Sequence, residues 1–278
     1  MAFNINEMIL DRVRSLTTHD LSNGKLLFRL TSLEDPSLNT TAEGEEVVDA
    51  IGSLITTLYR AKKATFSASN SLISLDLAAA QYGATKVVGD TTNKIVDYAY
   101  EVLNVKAPAV EGGDYTVELK NAATTMKDSE GKDVSTIKYI YVLENGQIGT
   151  TYTYGSTPSE KDFAVDTDNK TIKLPTGVTS GKIYVEYTYE NANAMKVTNR
   201  ASEFPKACSM VIYAYFKDVC NENTVYSGKI ICPKAKLNPE QVELALTSTG
   251  KHAFEFQMMK DYCADESEDE LFSIIISQ

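Results

Sequence analysis

The side chains best suited to chemistry are few and scattered. Two histidines, His19 and His252, and four cysteines, Cys208, Cys220, Cys232 and Cys263, make up the whole stock of imidazole and thiol. The cysteines all fall in the last quarter of the chain, none forms a Cys-x-x-Cys pair, and neither histidine completes a zinc-type spacing with them. In a reducing compartment the simple reading is four small, mostly buried thiols. His252 and Cys263 could serve as base and nucleophile only if folding brought them together; a histidine on a strand face and a packed thiol explain them as well.

Other motifs fail at named positions. Gly250-Lys251 is followed by His252 and so lacks the Ser or Thr that closes a phosphate loop, and no Gly-x-Ser-x-Gly, His-Glu-x-x-His or dinucleotide glycine pattern is present. "DTDN" at Asp166 opens like a calcium loop, but Thr171 stands where the sixth-position Gly belongs and Gly177 where the twelfth-position Glu belongs. A hairpin turn explains it better. "ADESEDE" at Ala264 places five carboxylates between Asp265 and Glu270; cation binding is conceivable there, a solvated loop is the plainer reading, and in a ring of copies such loops would set the potential of a pore. No catalytic residue, metal site or cofactor is expected, and the protein is read as a non-enzyme.

The elements around these residues suggest two domains in 278 residues. Composition is globular, with 43% hydrophobic and 23% charged residues. The formal charge of -11 argues against a surface that grips nucleic acid by neutralising phosphates. No apolar run is long enough for a bilayer span, and the first thirty residues lack the features of a secretory signal, so folding in a cytoplasm is expected.

Residues 5–16 place Ile5, Met8, Ile9, Val13 and Leu16 near helical spacing, which predicts a short amphipathic helix. A turn at Asn23 and a strand over 25–31 follow. Residues 32–46 hold no Lys or Arg and gather Glu34, Asp35, Glu43, Glu45 and Glu46, which reads as an acidic loop. Runs at 47–51 and 54–66 flank Gly52-Ser53 as a hairpin, the second ending in the basic cluster Arg60, Lys62 and Lys63. Ser69 is read as the cap of a helix with Leu72, Leu75, Ala79 and Tyr82 on one face and Gly83 at its end.

From about 104 to 193 the character changes: eight of the sixteen tyrosines lie there and no cysteine does. Strands are predicted at 115–119, 137–143, 150–154, 171–174 and 182–189, the last from the alternation of Ile183, Val185, Tyr187 and Tyr189 with Lys182, Tyr184, Glu186 and Thr188. This spacing suggests an immunoglobulin-like sandwich. Strands near 196–200, 208–216, 224–232, 242–246, 252–260 and 271–277 then resume the first style. The expectation is a discontinuous outer domain of residues 1–104 and 193–278, sharing one sheet system, with residues 105–192 inserted.

Five segments, "LLFRLTSLEDPSLNTTAE", "ATFSASNSLISLDLAAAQYGA", "VTNRASEFPKACSMVIYAYFKDVC", "YSGKIICPKAKL" and "HAFEFQMMKDYCADESEDELFSIII", give a hairpin, a strand feeding one helix and a closing strand series. Together they resemble bacteriophage tail tube (major tail) proteins of tailed phages of Gram-positive bacteria. The resemblance implies a mainly β fold, a barrel or sandwich with one flanking helix, interrupted by the inserted module. It implies a virion protein assembled in the host cytoplasm into stacked, usually hexameric rings, with tail terminator, baseplate and tape-measure proteins as partners and no membrane. DNA would pass through without specific binding, and an acidic lumen would repel its phosphates.

The same resemblance assigns residues 32–46 to contact with the adjacent ring, with Glu34, Asp35, Glu43, Glu45 and Glu46 facing basic residues of another subunit, Arg60, Lys62 or Lys63. A solvated loop beside an unrelated basic cluster is the alternative. A further alternative is a cell-surface or carbohydrate-binding sandwich on a carrier domain, which requires exposed aromatics on one patch, Tyr184 among them.

Overall fold

A computed structural model describes residues 7–219, 224–240, 243–245, 250–261 and 270–277. The chain divides into two compact units, the first formed by Met1–Lys86 with Val197–Gln278 and the second by Val87–Lys196. The first unit opens with β1 (Met8–Asp20), β2 (Leu26–Leu30), β3 (Leu33–Val48), β4 (Leu54–Asn70) and helix α1 (Leu75–Gln81). The second holds β5 (Val87–Val88), β6 (Ile95–Asn104), β7 (Thr116–Glu118), β8 (Thr125–Lys127), β9 (Asp133–Ser135), β10 (Tyr139–Glu144), β11 (Gln147–Tyr154), β12 (Asp162–Val165), β13 (Thr171–Lys173), β14 (Lys182–Asn191) and β15 (Met195–Lys196). The chain then returns to the first unit with β16 (Ala207–Asp218), β17 (Val225–Leu237), β18 (Glu243–Leu244), β19 (His252–Met258) and β20 (Ser273–Ser277).

Strands from both flanks build one nine-stranded sheet in the order β2-β1-β16-β17-β19-β4-β3, with β18 on β19 and β20 on β17. The strands at the two ends of this order, β2 and β3, are joined through Thr31 and Ser32 alone. So short a link requires the sheet to curl back on itself, as a nearly closed barrel does. Period-2 alternation fills the interior. Cys208, Met210, Ile212 and Ala214 point inward from β16, Phe254, Phe256 and Met258 from β19, and Ala64, Phe66 and Ala68 from β4. Burial pushes the Cys208 thiol up to about 12 and the Cys232 thiol to about 11. Cys220 and Cys263 lie outside the described residues.

Helix α1 adds Leu77 to this core. Ser74 caps it, its Oγ accepting from the Leu77 N–H at 3.2 Å, and Gly83 at φ +66° follows its end. The expected cap, Ser69, belongs instead to β4, and Leu72 and Ile73 are exposed ahead of the helix. The helix is therefore shorter than its apolar residues suggest.

Two further expectations are corrected. Residues 8–16 of the expected helix are strand, and residues 5 and 6 lie outside the described residues. Bulges between Leu10 and Arg12 and between Val13 and Ser15 break the period-2 alternation, and Ile9, expected on the apolar face, is exposed. Residues 33–46 are not a loop but most of β3, paired with β4 as far as Val48 opposite Leu54. Its alternation is weak because most of its side chains face water.

The second unit carries a seven-stranded sheet, β6-β14-β10-β11-β12-β13-β7, in which β11 and β12 run parallel and the other pairs antiparallel. Ile183, Val185 and Tyr187 of β14 are buried with Phe163, Ile172, Ile137 and Ile140, while Lys182 and Glu186 face solvent, as the alternation predicts. "DTDN" is the turn between β12 and β13, with Asp168 Oδ1 accepting from the N–H groups of Lys170 and Thr171 at 2.8 and 3.0 Å. Residues 95–104, counted with the outer domain from sequence, are β6 and pair along their whole length with β14. Val87 and Val88 pair with Lys196 and Met195, so the chain enters and leaves this unit side by side.

Candidate assembly surface

The hairpin of β3 and β4 has two halves. From Ala64 to Asn70, β4 is flanked by β19 and β3, and every second residue is buried. From Leu54 to Lys63 its only partner among the described residues is β3, and nearly every side chain is exposed. The outer half is a free ribbon about 30 Å long at strand rise. Asp49 closes its tip, Oδ1 accepting from the N–H groups of Ile51 and Ser53 at 3.0 and 2.7 Å, with Gly52 at φ +85°. An isolated two-stranded ribbon is marginal in water.

The acidic residues named from sequence divide between base and ribbon. At the base, Glu34 accepts from Ser71 Oγ at 2.7 Å and pairs with Lys251, while Asp35, in the bulge before Ser37, lies 3.8 Å from the same ammonium. The Lys251 ammonium first, then Ser71, holds the Glu34 carboxyl below the usual range. Lys251 was not legible as a member of this group, since nothing local links it to a residue more than two hundred positions away.

On the ribbon, Glu43 lies 3.1 Å from Lys63 and Glu45 lies 3.4 Å from Arg60. These acidic and basic residues therefore meet across one hairpin of one chain. Glu46 stands opposite Thr57; among the described residues no ion pair involves Glu46 or Lys62. All four paired side chains are well exposed, a setting in which ion pairs are worth about 0–1 kcal/mol. Sequence reasoning missed the apolar content of the ribbon tip. Ile51 is 87% exposed and Tyr59 75%, with Val48, Leu54, Ile55 and Leu58 also open to solvent. Leu54 and Leu58 share one face of the ribbon and Ile55 and Tyr59 the other, so both faces carry exposed apolar side chains of the kind found at interaction sites.

A second open feature lies in the same barrel sheet, at β1 and β20. β1 meets β2 only from Leu16 to His19, leaving the outer edge of Met8–Ser15 unpaired among the described residues. β20 pairs with β17 from Ser227 to Ile231 and with no other described strand. The strands β1, β16, β17 and β20 thus form a four-stranded end open at both edges, with Ile9 and Leu10 exposed on one edge and Ile274 and Ile275 on the other. Such edges template pairing with another chain.

His252 is buried against Gln81; Cys263, weighed with it from sequence as a base and nucleophile pair, lies outside the described residues, as do residues 264–269 of "ADESEDE", and among the described residues no group of three His, Cys, Asp or Glu could hold a metal. No described helix is long and apolar enough to cross a membrane. No curated protein matches the chain. Residues 8–271, both flanks and the whole second unit, fit the model of the YomU/Tube protein family. The chain therefore belongs to the YomU/Tube protein family, in keeping with the phage tail tube resemblance carried by its flanking segments.

Proposed function

We propose that this tail tube structural protein closes into hexameric rings that stack into the conduit for the phage genome. The observation that carries the reading is the four-stranded end with two open edges. Pairing of β1 in one copy with β20 in the next is head-to-tail, and a head-to-tail contact either closes into a ring or runs on as a filament. It would satisfy the backbone groups of both edges and cover Ile9, Leu10, Ile274 and Ile275. Six is the number implied by the tail tube resemblance, as are tail terminator, baseplate and tape-measure proteins as partners.

The ribbon supplies the contact between rings in this reading. Its apolar tip docks on the adjacent ring, while Glu34, Asp35, Glu43, Glu45 and Glu46 meet basic groups there. Negative-stain microscopy of the purified protein should show rings or tubes about 100 Å wide, an order-of-magnitude figure for six domain-sized subunits. Ile275→Pro, which removes a ladder N–H from β20, should leave the subunit folded and abolish rings. A persistent monomer at high concentration, or rings unaffected by the proline, would overturn the reading.

A second reading concerns the second unit, taken as an inserted immunoglobulin-like domain. Tyr98, Tyr100 and Tyr139 are exposed on the sheet face where the Tyr184 ring lies 6.4 Å from that of Tyr100 and 6.0 Å from that of Tyr141. A carboxylate stands among them, Glu186 Oε1 accepting from the Tyr184 hydroxyl at 2.5 Å. Aromatic faces beside a hydrogen-bonding carboxylate suit sugar rings and their hydroxyls. Retention of the protein on cell-wall polysaccharide, lost in Tyr98→Ala/Tyr100→Ala, is the expected result; no retention removes this reading.

A further inference from the structure

The open four-stranded end has two faces of different chemistry. Towards the core it presents Ala214 and Tyr226, both buried. The opposite face carries Arg12 and Lys217 from neighbouring strands, with Arg14 at a bulge of β1 and Lys229 next along the sheet. Two tyrosines lie between them. Tyr215 stands opposite Arg12 and Ser227, and Tyr213 opposite Ser15 and Lys229. Both arginines stack on one ring, with guanidinium carbons 5.5 and 5.8 Å from the Tyr215 centroid, and Arg14 Nη1 donates to the Tyr215 hydroxyl at 3.0 Å.

Asp11 is the one carboxylate on this face among the described residues of β1, β16, β17 and β20. It lies 2.9 Å from Lys217 and 3.8 Å from Arg12. Arg14 and Lys229 have no carboxylate partner among the described residues. Four cations against one anion, in a chain whose formal charge is -11, make a local reversal of sign. The cations extend about 14 Å along the strands and about 10 Å across them. Contact with the Tyr215 ring restrains both guanidinium groups, and the planar fork of N–H donors that each carries suits phosphate oxygens.

We propose that this face binds the phosphate backbone of nucleic acid without regard to sequence. A flat array of cations interleaved with aromatic rings suits a linear polyanion better than a single small anion. An acidic polypeptide would satisfy the charge and pair with the guanidinium groups as well, but it lacks the dense, regular row of charges of a nucleic-acid backbone. The binding itself does not depend on ring formation; the tube reading adds that the face, left uncovered when both edges are paired, repeats around the ring as a basic belt. Net charge alone predicts repulsion of DNA, whereas this belt would hold a passing duplex weakly at many points.

The test uses the full chain, a short fluorescent DNA duplex and anisotropy. Binding is expected at about 50 mM salt and should weaken steeply towards about 200 mM. Arg14→Ala and Lys229→Ala should each lower the slope of log affinity against log salt by about one, while Lys62→Ala/Lys63→Ala leaves it unchanged. Circular dichroism of these surface variants should match the parent. Absence of binding at the lower salt, loss of binding through the Lys62/Lys63 variant instead, or equally tight binding of a polyglutamate chain would overturn the proposal. Microscopy of the same samples separates the two readings: rings that ignore DNA sink this one alone, and DNA binding without rings sinks the tube.

Discussion

His252 Nε2 lies 2.6 Å from Oε1 of Gln81, and the imidazole is sealed from solvent. The first residue of β19 is thereby tied to the last residue of α1, and Gln81 Nε2 completes the clamp by donating to the Ala253 carbonyl at 3.0 Å. The amide oxygen accepts, so Nε2 carries the proton. Among the described residues the other ring nitrogen, Nδ1, has no partner, and neither has Oδ1 of Asn70, the β4 residue paired with His252. A buried network with open acceptors is costly to disturb further.

Replacing Gln81 with Leu removes the acceptor and leaves a buried N–H unmatched. The expected loss is about 1–3 kcal/mol, read as a lower denaturant midpoint with an unchanged slope. Because Leu77 anchors α1 independently, the helix should persist. A midpoint equal to that of the parent would show that the clamp contributes nothing net.

Burial holds the His252 pKa below the ordinary value of 6.5. The folded protein then binds fewer protons than the unfolded chain just below that value. Its stability is fully present above about pH 6.5 and is lost as pH falls towards the depressed folded pKa. Denaturant midpoints should therefore decline between about pH 7.5 and about pH 5.5, a range above ordinary carboxylate titration. His252→Gln should flatten that decline even though its own midpoint is lower. A decline of equal steepness in the variant would assign it to other groups.

How much of this could be read from sequence depended on whether one side of an element met water. β14 was legible because Ile183, Val185 and Tyr187 are buried while Lys182 and Glu186 are not, which writes the strand period into the residue types. β3 was not, because its outer half is exposed on both faces and carries no alternation. In β1, the bulges at Asp11 and Arg14 break the period-2 alternation that would have marked it as a strand. The charged partners on the ribbon were visible as clusters, yet their pairing within one hairpin depends on the register set by the turn at Asp49, and Gln81 and Lys251 are joined to their partners by the barrel alone.

The ribbon offers a charge-exchange experiment. Glu45→Arg or Arg60→Glu alone breaks the pair within the chain, and exposed pairs of this kind are worth about 0–1 kcal/mol, so subunit stability should hardly move. The double exchange restores that pair with its polarity inverted. If these side chains also meet an adjacent ring, tube length and salt resistance should fall in both single variants and stay low in the double. Full recovery in the double would confine the pair to the hairpin. Ile51→Asp, at the 87% exposed tip, should leave the monomer folded and shorten tubes more severely than any charge change.

The two cores share no residue: the barrel cluster draws on positions up to Ala80 and from Cys208 onward, and the second cluster lies between Ala99 and Tyr189. The connecting segments are already side by side, since Val87 pairs with Lys196 and Val88 with Met195. Replacing Val87–Lys196 by a short Gly-Ser link should therefore leave the barrel able to close without strain on β4 or β16. The shortened chain is expected to unfold cooperatively, with a strand-type dichroism spectrum, and to retain whatever rings the full chain forms, because none of β1, β17, β20 or the ribbon is removed. An unfolded product would mean that the second unit is part of what folds the barrel. A folded product that no longer assembles would move the subunit contacts onto the second unit and away from the open edges.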